Sequence, residues 1–176
     1  VLIIGTGKDT KKLSSIINDD KVYIAELNLG IKTNTLDPEG DITVEKIVPD
    51  LTKDKIKKVL KSFLGESLQV PPMYSAKRIN GQRLYKLARK NIKVKREPIS
   101  IFISDIRLID YKKNIITFSV RCSKGTYIRV LGKDIAGKLN TVGSLKSLTR
   151  TSVGVFSIKD SIKIESFEAE WKSLET

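Results

Sequence analysis

The sequence predicts an α+β fold, a mixed, largely antiparallel sheet flanked by helices, and three observations carry that prediction. Lys21 to Gly30 alternates with the period of a strand, Val22, Ile24, Glu26 and Asn28 opposing Tyr23, Ala25, Leu27 and Leu29. Ser100 to Tyr111 and Ile115 to Cys122 are β-rich runs around Lys112-Lys113-Asn114, the pattern of an antiparallel pair. Helical patterns lie between the β-rich runs without regular βαβ repeats.

In chain order, Lys8 to Ile17 reads as a short helix with Leu13, Ile16 and Ile17 at helical spacing, ended by Asp19-Asp20. The Lys21 strand follows, then a polar loop from Lys32 to Asp41 and a second strand from Ile42 to Val48. Thr52 is placed to N-cap a helix with Ile56, Val59, Leu60, Phe63 and Leu64 on one face, closed by Gly65. Pro71-Pro72 breaks the chain, Asn80-Gly81 signals a hairpin, and Leu84 to Lys90 reads as helical. After the long β pair, Thr126 to Leu139 carries Ile128, Leu131, Ile135 and Leu139 in helical register. Leu145 to Phe156 is β-like and Ser166 to Leu174 is a terminal helix. There is no internal repeat and no interior linker.

The length of 176 residues suits one domain able to bury a core without disulfides. Cys122 is the single cysteine, so an intrachain disulfide is excluded and a cytoplasmic location is expected. With no histidine, His-containing metal sites and Ser-His or Cys-His triads are excluded. No apolar run approaches the roughly 20 residues of a membrane span. The only methionine is Met73 and the chain opens Val1-Leu2-Ile3-Ile4, which reads as a piece beginning in mid-strand. Losing the strands before it would leave sheet edges and apolar surface exposed.

The net charge of +13 is unevenly spread. Lys77 to Arg96 holds nine bases and no acid, whereas Asp160 to Thr176 holds five acids against Lys163 and Lys172. A dense basic segment of this kind is a footprint for a polyanion, each cation on a phosphate releasing a counterion. A solvated face in a lysine-rich chain, with 25 Lys among the 33 bases, remains the alternative.

Three blocks carry chemistry. Lys124-Gly125-Thr126-Tyr127-Ile128-Arg129 leaves a strand and enters a helix, where Arg129 could grip a carboxylate or phosphate with its fork. It reads equally as an ordinary turn with a surface arginine. Gly30 to Gly40, downstream of Tyr23, is a loop of hydroxyls and a carboxylate, Asp37, able to accept from base amino groups, or a plain hairpin loop. Pro71-Pro72-Met73-Tyr74-Ser75-Ala76-Lys77 leads into the basic segment, where Tyr74 and Tyr85 interleave with the bases in the mixture that binds looped RNA. A loop before a basic amphipathic helix is the other reading. Gly5-Thr6-Gly7-Lys8 lacks P-loop spacing.

Together these blocks resemble the TruB family of tRNA pseudouridine synthases, which isomerise uridine 55 of the tRNA T loop. The resemblance runs from Val1 to about Ile164 through Gly7 with Thr10-Lys11, Lys21-Val22-Tyr23 to Gly30, Thr33, Thr35, Asp37 and Gly40. It continues through Pro72 to Lys77 with Gly81, Lys124 to Arg129, and Leu148, Arg150-Thr151, Gly154 and Phe156. It implies a pseudouridine synthase catalytic domain, partial over 1–176 and incomplete at its N-terminus, with a basic RNA-contacting insertion at about 72–97. The family's nucleophilic aspartate lies in a Gly-(Thr/Ala)-Leu-Asp-Pro motif just upstream of the block that Val1 begins, so it is absent from this chain. Thr35-Leu36-Asp37-Pro38 spells part of that motif, but by position Asp37 belongs to the loop after the Tyr23 strand, where the family touches RNA. Asn34 stands where the family usually has an acid.

By resemblance, Tyr23 stacks on the flipped base and aids proton transfer, and Arg129 pairs with the upstream aspartate. Tyr127 and Leu148 line the base pocket. Lys77, Arg78, Arg83 and Lys86, with Lys8 and Lys11, grip T-arm phosphates. The implied partner is the T arm of tRNA and the implied state a monomer, with no cofactor, metal or membrane. A non-catalytic protein that binds structured RNA on the same surface is the alternative.

Overall fold

The computed structural model describes residues 1–173, with side chains through 168. A 3-10 helix, Gly7–Lys12, runs into a single α-turn, α1 (Leu13–Ile16). The predicted Lys8–Ile17 α-helix is thus mostly a tighter spiral. Thr10, Ser14 and Ser15 each donate their hydroxyl to the carbonyl three residues back, in competition with the α-helical pattern. Residues 1–6 have no regular structure, so the predicted Val1–Ile4 strand is not formed. Among the described residues a single main-chain hydrogen bond ties this stretch to a strand, from the Val1 nitrogen to the Arg150 carbonyl at 2.6 Å, too few to make a ladder.

Next come β1 (Lys21–Leu29), β2 (Ile31–Thr33) and β3 (Ile42–Glu45). β3 stops short of the predicted Val48, because its antiparallel partner β2 begins only at Ile31, opposite Glu45. Gly30, at φ +90, turns the chain between β1 and β2. Helix α2 (Lys53–Lys61) begins on Thr52, whose hydroxyl accepts from the Lys55 N–H at 3.2 Å. It ends before the predicted Gly65 and leaves Leu64 exposed. Gly65 instead opens β4 (Gly65–Gln69), a strand concealed in the sequence by its polar Glu66 and Ser67.

The Asn80-Gly81 turn joins β5 (Arg78–Ile79) to β6 (Gln82–Arg83) and leads to α3 (Leu84–Arg89). The long pair is β7 (Ile99–Lys112) and β8 (Ile115–Cys122). Then come α4 (Ile128–Lys138), β9 (Gly143–Val153) and β10 (Phe156–Ser157). The predicted 145–156 run is two strands, since Gly154 at φ +53 turns the chain between them. The 3-10 turn Ile158–Asp160 and α5 (Ile164–Ser173) complete the described chain. Leu174 of the predicted last helix lies outside the described residues.

Six strands form one sheet in the order β10-β9-β1-β8-β7-β4, every pairing among the described residues antiparallel. Helices α2 and α4 pack on one face against β7, β9 and β1. That face supplies Ala25, Leu27, Ile103, Phe118, Val120 and Leu145 to a core completed by Ile56 and Leu60 of α2 and Leu131 and Ile135 of α4. The opposite face is open, with Ile24, Leu68 and Phe102 exposed.

Helix α4 sits close to the sheet because glycines remove side chains from the contact. A Cβ on Gly143 would lie 2.9 Å from the Ala136 Cβ and 3.0 Å from Leu27 Cδ1, and one on Gly132 would lie 3.0 Å from Leu145 Cδ2.

Cys122 ends β8, buried beneath the sheet's helical face. Burial pushes its thiol up to about 11, with Asp20 adding in the same direction against Thr126 and Lys21. An unfolded cysteine ionises near 8.5, so the folded state keeps a proton that the unfolded chain has lost above that pH. The stabilisation is therefore complete below about pH 8.5 and declines as pH rises toward 11. Cys122 in the folded protein should react with a chromogenic disulfide at pH 8 roughly 100-fold more slowly than in urea-unfolded protein. Equal rates would show that the thiol is accessible.

Candidate functional site

The site is built around Arg129, in the first turn of α4. Its guanidinium, with the side chain 24% exposed, is met by three acceptors from two loops. Nη1 donates to Asp37 Oδ2 at 2.6 Å and to the Thr35 carbonyl at 3.1 Å, while Nη2 donates to the Tyr74 carbonyl at 2.6 Å. A partly desolvated cation needs such partners, and the charged pair is the strong member of the set.

The loop that presents Asp37 is shaped for that contact. Leu36 takes the left-handed region at φ 66, uncommon for a branched side chain. It is tolerated because its side chain is buried and its carbonyl accepts from the Leu145 N–H at 3.0 Å. Asp37 Oδ1 accepts from the Thr35 hydroxyl at 2.6 Å and from the Glu39 N–H at 3.2 Å, leaving Oδ2 for Arg129. Behind it the Thr33 N–H donates to Ser144 Oγ at 2.8 Å, tying the loop to β9.

Tyr127 is the N-cap residue of α4, and both its peptide groups are held by Gln69 at the end of β4. Gln69 Oε1 accepts from the Tyr127 N–H at 2.8 Å and Nε2 donates to the Tyr127 carbonyl at 3.2 Å. Sequence reasoning missed Gln69 along with its strand, since Glu66-Ser67-Leu68-Gln69 carries no polar–apolar alternation to reveal it. Lys124 Nζ donates to Asn18 Oδ1 at 2.6 Å, joining this turn to the chain after α1.

Tyr23 and Leu148 lie on adjacent strands, β1 and β9, and share the helical face of the sheet. Leu148 opposes Ala25, and Tyr23 packs on the core. Tyr23 titrates above the ordinary tyrosine range, first because it is buried and second because of neighbouring Cys122, with Arg150 opposing both. Lys21 titrates below its ordinary value, mainly through burial, while Nζ donates to the carbonyls of Ile17 at 2.6 Å and Asp19 at 2.7 Å.

The basic residues form a separate surface. Arg78 and Arg83 face each other across the β5–β6 hairpin, Lys77 precedes it, and Lys86 lies on α3. None of these four is in an ion pair among the described residues. The surface is linked to Arg129 through the Pro71–Lys77 loop: Tyr74 gives its carbonyl to Arg129, and Ser75 gives its carbonyl to the Tyr85 N–H at 3.0 Å. An open cavity of about 530 Å³ runs between the two loops, bounded by Asn34, Tyr74, Ala88 and Lys93. Lys8 and Lys11 are exposed on the first 3-10 helix. Among the described residues no cluster of acidic and cysteine side chains could hold a metal, and no helix is long and apolar enough to cross a membrane.

Comparison with known proteins bears on this geometry. The family model described as TruB family pseudouridylate synthase (N terminal domain) matches residues 1–128. The chain is similar to the tRNA pseudouridine synthase B of Clostridium kluyveri, 45% identical over 97% of this chain and 58% of that protein. It is also similar to the protein of the same name from Endomicrobium trichonymphae, 36% identical over 94% of this chain and 72% of that protein. The chain spans less than two thirds of the Clostridium kluyveri relative and of the one from Clostridium tetani, 58% and 59%. In fold it resembles a chain in the crystal structure of a Cbf5-Nop10-Gar1 complex, with TM-score 0.69, 23% identity, and coverage of 98% of this chain and 43% of that one.

The Arg129–Asp37 pair is partly buried, so removing one charge leaves the other poorly compensated. Asp37→Asn should therefore lower stability by roughly 1–3 kcal/mol in urea unfolding. A loss indistinguishable from zero would show that the pair does not hold the loop.

Proposed function

The chain belongs to the TruB family of pseudouridylate synthases, and from that premise we propose that it is the larger part of a catalytic domain converting uridine 55 of the tRNA T loop to pseudouridine. The observation that carries the reading is the convergence on Arg129 of the two loops the sequence singles out, one of which continues into the basic hairpin.

The reaction cleaves the C1′–N1 bond, turns the uracil, forms C1′–C5, and moves the C5 proton away as N1 gains one. No atoms enter or leave overall, so no external oxidant, reductant or group donor is required, and in this reading the step uses no cofactor or metal. A T-loop base is stacked inside folded RNA and must be flipped into a pocket before its C5 can be reached. In this reading Tyr23 supplies an aromatic face for the flipped uracil. The phenol is protonated at neutral pH, and burial moves its ionisation further up, so it serves as a hydrogen-bond donor and proton carrier. Leu148 and Tyr127 wall the pocket, and Leu148 excludes water beside the glycosidic bond.

Arg129, held by Asp37, presents its charge to the aspartate that the family carries upstream of Val1. A guanidinium already fixed by main-chain and carboxylate acceptors loses little freedom when it takes that second carboxylate. Asp37 serves as its counter-charge and as a contact to RNA, not as the nucleophile. The segment at about 72–97 acts as a basic, RNA-contacting insertion: Lys77, Arg78, Arg83 and Lys86 neutralise T-arm phosphates, with Lys8 and Lys11 extending the footprint. The protein acts as a cytoplasmic monomer.

Two measurements on the full-length protein test this. Tyr23→Ala should slow tritium release from C5-labelled tRNA roughly 100- to 10,000-fold while RNA binding persists, and near-normal release would refute the role of Tyr23. Replacing Arg83 and Lys86 together by Gln should weaken binding and reduce the slope of log affinity against log salt by about 2. An unchanged slope would remove the hairpin from the RNA footprint. RNA bound by the wild-type protein without any tritium release would favour a binding-only protein.

A further inference from the structure

Two β-bulges interrupt the pairing of β1 with β9. At one of them Thr151 is the extra residue: Val22 opposes Ser152, and Tyr23 opposes Arg150. The Thr151 hydroxyl donates to the Val22 carbonyl at 3.2 Å, bracing the bulge from its own strand. Side chains alternate between faces along a strand, so without the extra residue Thr151 would oppose Tyr23 and Arg150 would turn to the open face. The bulge brings Arg150 onto the face of Tyr23 and Leu148.

There Arg150 stands directly across the β1–β9 pair from Tyr23. Its positive charge lies close enough to the phenol to favour the phenolate. Its Nε donates to the Val1 carbonyl at 2.9 Å, and its own carbonyl accepts from the Val1 nitrogen at 2.6 Å. With Nε held by the Val1 carbonyl, the planar guanidinium keeps a fixed direction that an ammonium on a flexible stem would lack. Arg150 therefore sets a fixed cation beside Tyr23 and ties it to the stretch 1–6.

We propose that Arg150 is a positioning residue for Tyr23, fixing the phenol in one orientation and in register with the Val1 segment through the Thr151 bulge. The proposal rests on Tyr23 acting in the reaction, but the coupling between the two side chains can be measured independently of activity. The other ionisable groups at Tyr23 and Arg150 are Cys122 on β8 and Lys21 on β1, with Asp19 and Asp20 in the turn before β1.

The test uses the full-length protein with Arg150→Gln and Arg150→Lys. Tyrosine labelled with ¹³C at Cζ gives a resonance for Tyr23, assigned through Tyr23→Phe. Arg150 favours the phenolate, so Arg150→Gln should shift that resonance and move its titration midpoint upward. Affinity for a T-arm RNA should stay unchanged while single-turnover tritium release falls about 100-fold, the cost of a misplaced group. Arg150→Lys, which keeps the charge without the fork, should retain the midpoint more closely yet recover only part of the rate. A Tyr23 resonance and midpoint identical to wild type in Arg150→Gln would overturn the proposal, whatever the rate. If that variant does not fold, an Arg150→Lys protein with wild-type resonance and rate would overturn it. Full activity in Tyr23→Phe alongside a shifted Tyr23 resonance in Arg150→Gln would sink the catalytic reading of Tyr23 and uphold the coupling.

Discussion

A guanidinium that is three-quarters out of water has to be met by acceptors, and at Arg129 this requirement organises the site. The acceptors come from sequence positions 35 to 37 and 74, far apart in the chain and without contact to each other through regular structure. Each loop carries a feature that would be unfavourable alone. Leu36 sits at positive φ, and the Ser75 hydroxyl is buried with no hydrogen-bond partner among the described residues. Such features persist where surrounding contacts over-determine the backbone, and the shared guanidinium is one of those contacts.

Arg129 can play this part because the sheet fixes where α4 begins. Gly132 and Gly143 let the helix approach β1 and β9 closely, and Gln69 holds both peptide groups of Tyr127 at its first turn. The helix is thus anchored on its long side by packing and at its end by hydrogen bonds to an edge strand. The same sheet positions Tyr23, Leu148 and Arg150 by register, with the Thr151 bulge choosing which of two adjacent side chains faces Tyr23.

Most elements were legible because their periodicity is strong. The β1 alternation, the β7–β8 pair, the Thr52 cap and the α4 register all follow from side-chain pattern, and the structure has each of them. β4 was not legible: an exposed edge strand with Glu66 and Ser67 has little apolar alternation to reveal it. The first helix was over-read because serine and threonine hydroxyls that bond back to the main chain leave no trace in hydrophobic spacing. At the site, residue type drew attention to Asp37, Tyr127 and Arg129 one by one, and resemblance to the family drew it to Tyr23. Their relations were hidden, since the Arg129–Asp37 pair spans 92 positions and the Tyr23–Arg150 pairing depends on a bulge that adds one residue. Periodicity reports which face a residue takes only while the register is unbroken.

The division between exposed and sheltered charge has a functional consequence. Arg78, Arg83 and Lys86 stand in water on the β5–β6 hairpin and α3, where salt screens them within about 8–10 Å. Arg129 and Arg150 are partly buried and already engaged, so salt reaches them far less. In the proposed function the first group governs how strongly RNA is held and the second governs where Tyr23 and the incoming carboxylate stand. Tyr74 joins the two, because its carbonyl is bound by Arg129 while its loop runs directly into the basic hairpin. The hairpin and the guanidinium are therefore connected through a single short loop, stiffened at its start by Pro71-Pro72.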